Sequence, residues 1–323
     1  MDQMLAALLL VVGLVILVLA GDRLVTSAGR VALHLGMSTV VIGATVVAFG
    51  TSMPEFTVSL LSALDGAAGV AAGNVVGSNI VNVLLVLGIA ATISPLAVHR
   101  RMLRFDIPIL IAVTAWALAL FRDGEVSRVE GIVSVVLLLT FSAVQLKWFS
   151  SPEVQAEPEP DFDDLPVPEE GDRPNVSIEI PILAASIGAL AFGSWLFVRG
   201  ATDLAESMGI SEFAIGATVV AVGTSLPEVV TSAIAALKKQ DDIAIGNVVG
   251  SNLFNVLGVL GGAAVAAPVG VSMDLYDFEL PMLGATALVL VPLMWRRTHI
   301  RRTEGILLLF GFVAFTAITL ARG

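Results

Sequence analysis

Gly43-Ala-Thr-Val-Val-Ala-Phe-Gly-Thr-Ser-Met-Pro-Glu55 returns as Gly216-Ala-Thr-Val-Val-Ala-Val-Gly-Thr-Ser-Leu-Pro-Glu228, and Gly73-Asn-Val-Val-Gly-Ser-Asn79 returns as Gly246-Asn-Val-Val-Gly-Ser-Asn252. Residues 43–88 and 216–261 align without a gap at a constant offset of 173, and 28 of the 46 paired positions are identical. A duplication kept for packing alone would retain its apolar residues and let the polar ones drift. Here the polar residues are kept, which points to a binding site built twice.

The surroundings of these motifs are apolar. The chain is 56% hydrophobic and only 14% charged, with a mean hydropathy of +0.92, too little polar surface for a soluble fold and the composition of a bilayer protein. Apolar runs long enough to cross a membrane fall near residues 4–20, 37–64, 68–94, 105–121 and 129–148, then near 178–198, 210–237, 242–267, 279–295 and 304–321. The expectation is an all-α integral membrane protein of ten helices, five per half. The first run lacks a basic segment before it, and Gly21-Asp22-Arg23 makes a poor cleavage site, so it reads as a retained helix. With no cysteine in the chain, a disulfide framework or a thiolate site is excluded.

Basic loops stay cytoplasmic. Of the 17 Lys and Arg residues, thirteen fall on one side of the ten spans and four, Arg122, Arg128, Arg199 and Arg322, on the other. This places both termini outside the cell and predicts a multi-pass protein of the plasma membrane. Because each half has an odd number of spans, the second enters the membrane upside down, giving two inverted-topology repeats. Such repeats are used by many secondary transporters, with the site at the midplane and broken helices supplying its ligands. The expected domains are 1–148 (with the repeat 43–88), a linker 149–176, and 177–323 (with the repeat 216–261).

Gly50 with Pro54 and Gly223 with Pro227 interrupt the second and seventh spans. A proline removes a donor, and this predicts main-chain carbonyls freed near Ala48 and Ala221. Glu55 and Glu228 are read as the only acids deep within a span, where a carboxylate costs about 3 kcal/mol or more. Around them lie Thr51 and Ser52, and Thr224 and Ser225; on the partner helices Ser78 and Asn82, and Ser251 and Asn255, are spaced to share a helical face. Taken singly, a membrane Ser, Thr or Asn is helix–helix glue, a glycine stretch is a packing face, and a buried Glu is a protonated structural acid. Their joint duplication around a proline favours a ligand set.

That set is made of oxygen only. Hard cations take oxygen ligands, calcium about 6–8 of them in a flexible cage; magnesium keeps its waters, and transition metals recruit imidazole or thiolate. Two glutamates balance one calcium ion, and the same oxygens suit sodium ions.

The motifs resemble the alpha repeats of the calcium/cation antiporter superfamily, in its sodium/calcium exchanger branch: G-T-S-x-P-E followed by G-N-x-x-G-S-N-x-x-N, twice. The resemblance implies that the oxygens of Ala48, Thr51, Ser52, Glu55, Ser78 and Asn82 act with those of Ala221, Thr224, Ser225, Glu228, Ser251 and Asn255 as metal ligands. Glu55 and Glu228 would bridge calcium, with sodium at flanking sites and the first and sixth helices as the moving layer. It implies transported calcium and sodium, no cofactor, no enzymatic activity and no nucleic-acid partner. Potassium-dependent relatives look to have Asp at the position of Asn255, so the amide pair Asn82 and Asn255 argues against potassium dependence. Proton/calcium exchangers look different around Gly77-Ser78, which argues for sodium. Proton/calcium or other divalent exchange is the alternative within the class, and a cation channel the alternative outside it.

The remaining features are read more simply. Residues 149–176 carry nine acids between Glu153 and Asp172 and six prolines, the composition of a solvated cytoplasmic linker. Asp274, Asp277 and Glu279 read as a solvated outer loop, and His34, His99 and His299 receive no ligand role. Gly36 before Ser38, repeated as Gly209 before Ser211, reads as a turn ahead of a serine N-cap, with a hinge as the alternative.

Overall fold

The computed structural model describes residues 3–148, 175–208, 221–271, 274–295 and 299–322. Its spans are all helices. In chain order the helices are α1 (Gln3–Leu35), α2 (Thr39–Thr51), α3 (Met53–Leu64), α4 (Gly69–Ile93), α5 (Met102–Asp123), α6 (Arg128–Trp148), α7 (Val176–Ser207), α8 (Ala221–Thr224), α9 (Leu226–Leu237), α10 (Asp241–Ala266), α11 (Asp274–Asp277), α12 (Glu279–Trp295) and α13 (Arg302–Arg322). Eight helices among the described residues are long and apolar enough to cross a bilayer, or nine with the bent pair α2–α3 counted as one span. The expected seventh span falls partly on residues 209–220, outside the described residues, as do the linker acids and Gly209 with Ser211.

The first and sixth spans are longer than their apolar runs predict: α1 continues to Leu35 and α7 to Ser207. At 1.5 Å per residue the 33-residue α1 is about 50 Å long, more than a bilayer core needs, so it must tilt or protrude. Its polar second half is satisfied by partners. Lys238 Nζ reaches Asp22 Oδ1 at 2.7 Å and Thr26 Oγ1 at 2.6 Å; Ser27 Oγ donates to Glu179 Oε2 at 2.7 Å, and Arg30 pairs with Glu179 at 2.8 Å. α1 stops where Gly36 takes a left-handed φ of 62°, and Ser38 then caps α2 by accepting from the Val41 N–H. The turn reading of Gly36 holds.

α1 and α7 pack along their length and run antiparallel. Small residues recur every seventh position on both, keeping one face on the partner: Ala6, Gly13, Ala20 and Ser27 on α1, Ser186, Gly193 and Gly200 on α7, all buried. A Cβ on Gly13 would lie 2.7 Å from the Gly193 carbonyl oxygen, and one on Gly200 would lie 2.5 Å from that of Ala6. The two helices match residue for residue at the offset of 173, so antiparallel packing of these equivalents is the inverted relation itself.

The halves also interlock. α13 crosses α4 where Gly88 meets Gly305, and α6 crosses α10 where Gly131 meets Gly261. The loops hold two short antiparallel strand pairs that an all-α reading did not include: β1 (Leu96–Ala97) with β4 (His299–Ile300), and β2 (Glu125–Val126) with β3 (Val269–Gly270). Each joins one half to the other. Outward faces carry large apolar residues such as Leu139, Leu307 and Phe310, as a lipid-facing surface requires.

Two further acids are buried, near helix starts rather than deep within a span. Asp106 is 1% exposed and Glu179 5%, each at the first turns of its helix and each supplied with a partner, Gln145 Nε2 at 2.7 Å and the Ser27–Arg30 pair.

Candidate cation-binding site

Pro54 and Pro227 each sit in the first turn of a helix, where a missing N–H costs nothing. The preceding helices end at Thr51 and Thr224, and one residue makes each step: Ser52 at φ −84°, ψ 7° and Ser225 at φ −87°, ψ 7°. α2 and α3 meet at 45°. Glu55 and Glu228 therefore stand in the first turns of α3 and α9, where exposed N–H groups favour a carboxylate.

The two halves exchange donors. Ser52 Oγ donates to Glu228 Oε1 at 3.0 Å, and Ser225 Oγ donates to Glu55 Oε1 at 3.0 Å. Ser251 Oγ lies 3.5 Å from Glu228 Oε1 and 3.4 Å from Thr51 Oγ1. Ser52, Glu228, Ser251 and Thr51 thus form one hydrogen-bonded set and Ser225 with Glu55 a second, each drawn from both repeats. Asn82 Nδ2 donates to Asn252 Oδ1 at 3.0 Å, a further bond between the repeats. Ser78, Thr224 and Asn255 are buried with the rest.

Five buried oxygens of this set have no hydrogen-bond partner among the described residues: Glu55 Oε2, Glu228 Oε2, Ser78 Oγ, Asn82 Oδ1 and Asn255 Oδ1. A buried acceptor left alone costs about 1–3 kcal/mol. This donor set suits an oxygen-seeking cation, which would remove that cost.

The carbonyls differ from expectation. Ala48 O is not freed: it accepts from the Ser52 N–H at 3.1 Å and lies 3.4 Å from the Thr51 hydroxyl. The donor that proline removes belongs to the carbonyl four residues earlier, Gly50 or Gly223, and Gly223 O is taken by Ser194 Oγ at 2.6 Å. Ala221 opens the short helix α8.

Beside the expected residues stands a set that sequence reasoning missed. Asn74 Nδ2 donates to Glu55 O at 3.2 Å and Ser59 Oγ at 2.9 Å; Asn247 Nδ2 donates to Glu228 O at 3.5 Å and Ser232 Oγ at 3.0 Å. The Thr51 hydroxyl has two acceptors within reach, Asn247 Oδ1 at 3.1 Å and Ala48 O at 3.4 Å. With its one proton on the nearer, Asn247, its lone pairs turn elsewhere, the orientation a cation ligand needs. Asn74, Asn247, Ser59 and Ser232 all belong to the identical positions of the duplication, so the signal was present. Asn82 and Asn255 also begin stretches of π-helix, 82–86 and 255–260, a wide turn frequent at functional sites.

Comparison with known proteins shows the family and the fold. The family model described as sodium/calcium exchanger protein matches residues 5–147 and 178–321. The inner membrane protein YrbG of Escherichia coli is 34% identical over 98% of this chain and 97% of its own length. The sodium/calcium exchanger MaX1 of Methanosarcina acetivorans is 34% identical over 96% of this chain and 97% of its own length. Among solved structures, the sodium-calcium exchanger NCX_Mj superposes with a TM-score of 0.82 at 30% identity, covering 98% of both chains. With the family model and these relatives spanning nearly the whole molecule, this multi-pass membrane protein belongs to the sodium/calcium exchanger family.

Proposed function

We propose that the chain is a sodium/calcium antiporter of the plasma membrane, with ten spans, both termini outside and one pocket shared by its repeats. The observation that carries this reading is the crossed pairing of Ser52 with Glu228 and Ser225 with Glu55, which leaves one oxygen of each carboxylate, Oε2, for a bridging ion. Calcium is held between the two glutamates, with Thr51, Thr224, Ser78, Ser251, Asn82, Asn255 and the carbonyls of Ala48 and Ala221 completing the oxygen set. Sodium ions use the same oxygens in smaller groups.

Exchange follows from charge. A pocket with two ionised carboxylates and no cation resists passage through a closed, water-excluded state, because unpaired buried charge is costly. One calcium ion or several sodium ions cancel that charge and let the pocket change sides. The long pair α1–α7, the first and sixth spans, is the layer that moves across it.

The test is calcium-45 uptake by proteoliposomes loaded with sodium and diluted into sodium-free buffer, with potassium-loaded and pH-gradient controls. Uptake that needs internal sodium and vanishes in Glu55→Gln and Glu228→Gln is expected. Uptake driven by a pH gradient alone makes the chain a proton exchanger, and flux without any counter-ion makes it a channel.

A further inference from the structure

The helices that carry the two glutamates end in the same turn. Asp65 N–H donates to Leu61 O at 2.9 Å, Gly66 N–H to Ala63 O at 3.3 Å and Ala67 N–H to Ser62 O at 2.8 Å; at the offset of 173, Lys238, Lys239 and Gln240 donate to Ile234 O, Ala236 O and Ala235 O at 2.9, 3.1 and 2.8 Å. Gly66 and Lys239 even share positive φ, 78° and 55°. Asp65 and Lys238 are therefore equivalent positions on a matched backbone, at opposite faces of the membrane.

Their surroundings are not matched. Lys238 ties the end of α9 to α1 through Asp22 and Thr26, and α1 packs along α9, with a Cβ on Gly21 reaching the side chains of Val230 and Ile234 at 3.0 Å. α7 makes no comparable packing against α3. Asp65 is exposed and in no ion pair among the described residues. The equivalents of Asp22 and Thr26 are Trp195 and Arg199, and Arg199 rests over the Trp195 ring at 5.4 Å, exposed.

We propose that Asp65 and Arg199 form the second latch of the molecule, pairing when α7 closes onto the end of α3 and the Lys238–Asp22 latch opens. The charges are reversed between the two latches, cation on the core helix at one face and anion on it at the other, and the pairing is the same. In the state seen here the Lys238 latch is shut and Arg199 is parked on its own helix. Each latch holds one orientation of a common pocket, so the two together set how the molecule divides its time between them. This rests on the alternating pocket proposed above.

The chain has no cysteine, so introduced pairs report alone. In the full chain reconstituted in liposomes, Asp65→Cys with Arg199→Cys is expected to form a disulfide under mild oxidant and stop exchange, since two cysteines bridge only when their Cα atoms come within about 7 Å. Adding Lys238→Gln, which loosens the opposite latch, should speed that cross-link about fivefold. Arg199→Glu or Asp65→Lys should slow turnover about fivefold, and the reversal Asp65→Arg with Arg199→Asp should restore it. The latch is overturned if the Asp65/Arg199 cysteine pair stays reduced while Lys238→Cys with Asp22→Cys cross-links, or if the reversed double variant is as slow as the singles combined. A cross-link that forms in protein already moving no ions before oxidant is added would discard the exchange reading and leave the pairing of the two helices standing.

Discussion

Glu55 and Glu228 sit in surroundings that nearly repeat each other, while the far ends of the same two helices carry Asp65 and Lys238, opposite in charge and in contacts. In the pocket each carboxylate takes a serine from the other repeat at 3.0 Å, and each helix is buttressed by its own asparagine, Asn74 or Asn247. At the ends, one helix is bound to α1 and the other has no comparable packing against α7. A pocket that serves both faces, as proposed here, is best built symmetrically. In that proposal the parts that decide which face is open differ at any moment, and there the sequence has diverged.

The largest effect should break the symmetric side of this contrast. Glu55→Gln and Glu228→Gln are each expected to weaken calcium binding in detergent about 100-fold or more, since each removes half of the balancing charge. Calorimetric titration of both variants should agree within about threefold; a large gap would show that the repeats do not share the ion equally. Next comes the α1–α7 seam. Gly200→Leu places its Cβ on the Ala6 carbonyl, and overpacking of this kind costs about 1–3 kcal/mol, read as a lower melting temperature, whereas Gly188→Leu, on the same helix with nothing within 4 Å of its Cβ, should leave it unchanged. A smaller effect tests the hydroxyl relay: Asn247→Ala should raise the half-saturating calcium concentration about tenfold, and Thr51→Val should add little on top of it, because the two share one hydrogen bond. Additive losses would remove Asn247 from its orienting role. The smallest is Arg322→Gln, which loses an exposed pair to Asp277 at 3.8 Å and should shift stability by less than about 0.5 kcal/mol.

The pocket was legible because it was written twice. Thr51, Ser52, Glu55 and their counterparts were singled out by identity, proline position and oxygen chemistry, and the structure brings Thr51, Ser52, Glu55, Ser225 and Glu228 into hydrogen bonds that cross between the repeats. The asparagine and serine buttresses were legible too, but duplication alone does not separate a ligand from the residue that aims it; only the direction of the Thr51 hydroxyl does. The carbonyl expectation erred by two residues because proline deprives the carbonyl four positions back, which is Gly50 and not Ala48. The length of α1 and α7 was hidden for another reason. Asp22, Thr26 and Arg30 look like the end of an apolar run, and the partners that let the helix continue, Lys238 and Glu179, lie in the other half of the sequence. Hydropathy is local, and those pairs are not.

The crossing of last helices onto opposite halves has a consequence for how the protein is made. The surface of α4 around Gly88 receives α13, which is made some two hundred residues later, and the surface of α10 around Gly261 receives α6, made long before it. Synthesis proceeds from the N-terminus and domains tend to fold in that order, but here the first half must wait in the membrane with one face uncovered until α13 has been made. Quality control during biogenesis would therefore meet an intermediate with a bare glycine-lined groove on α4, and a chain cut short before α13 would expose that groove permanently.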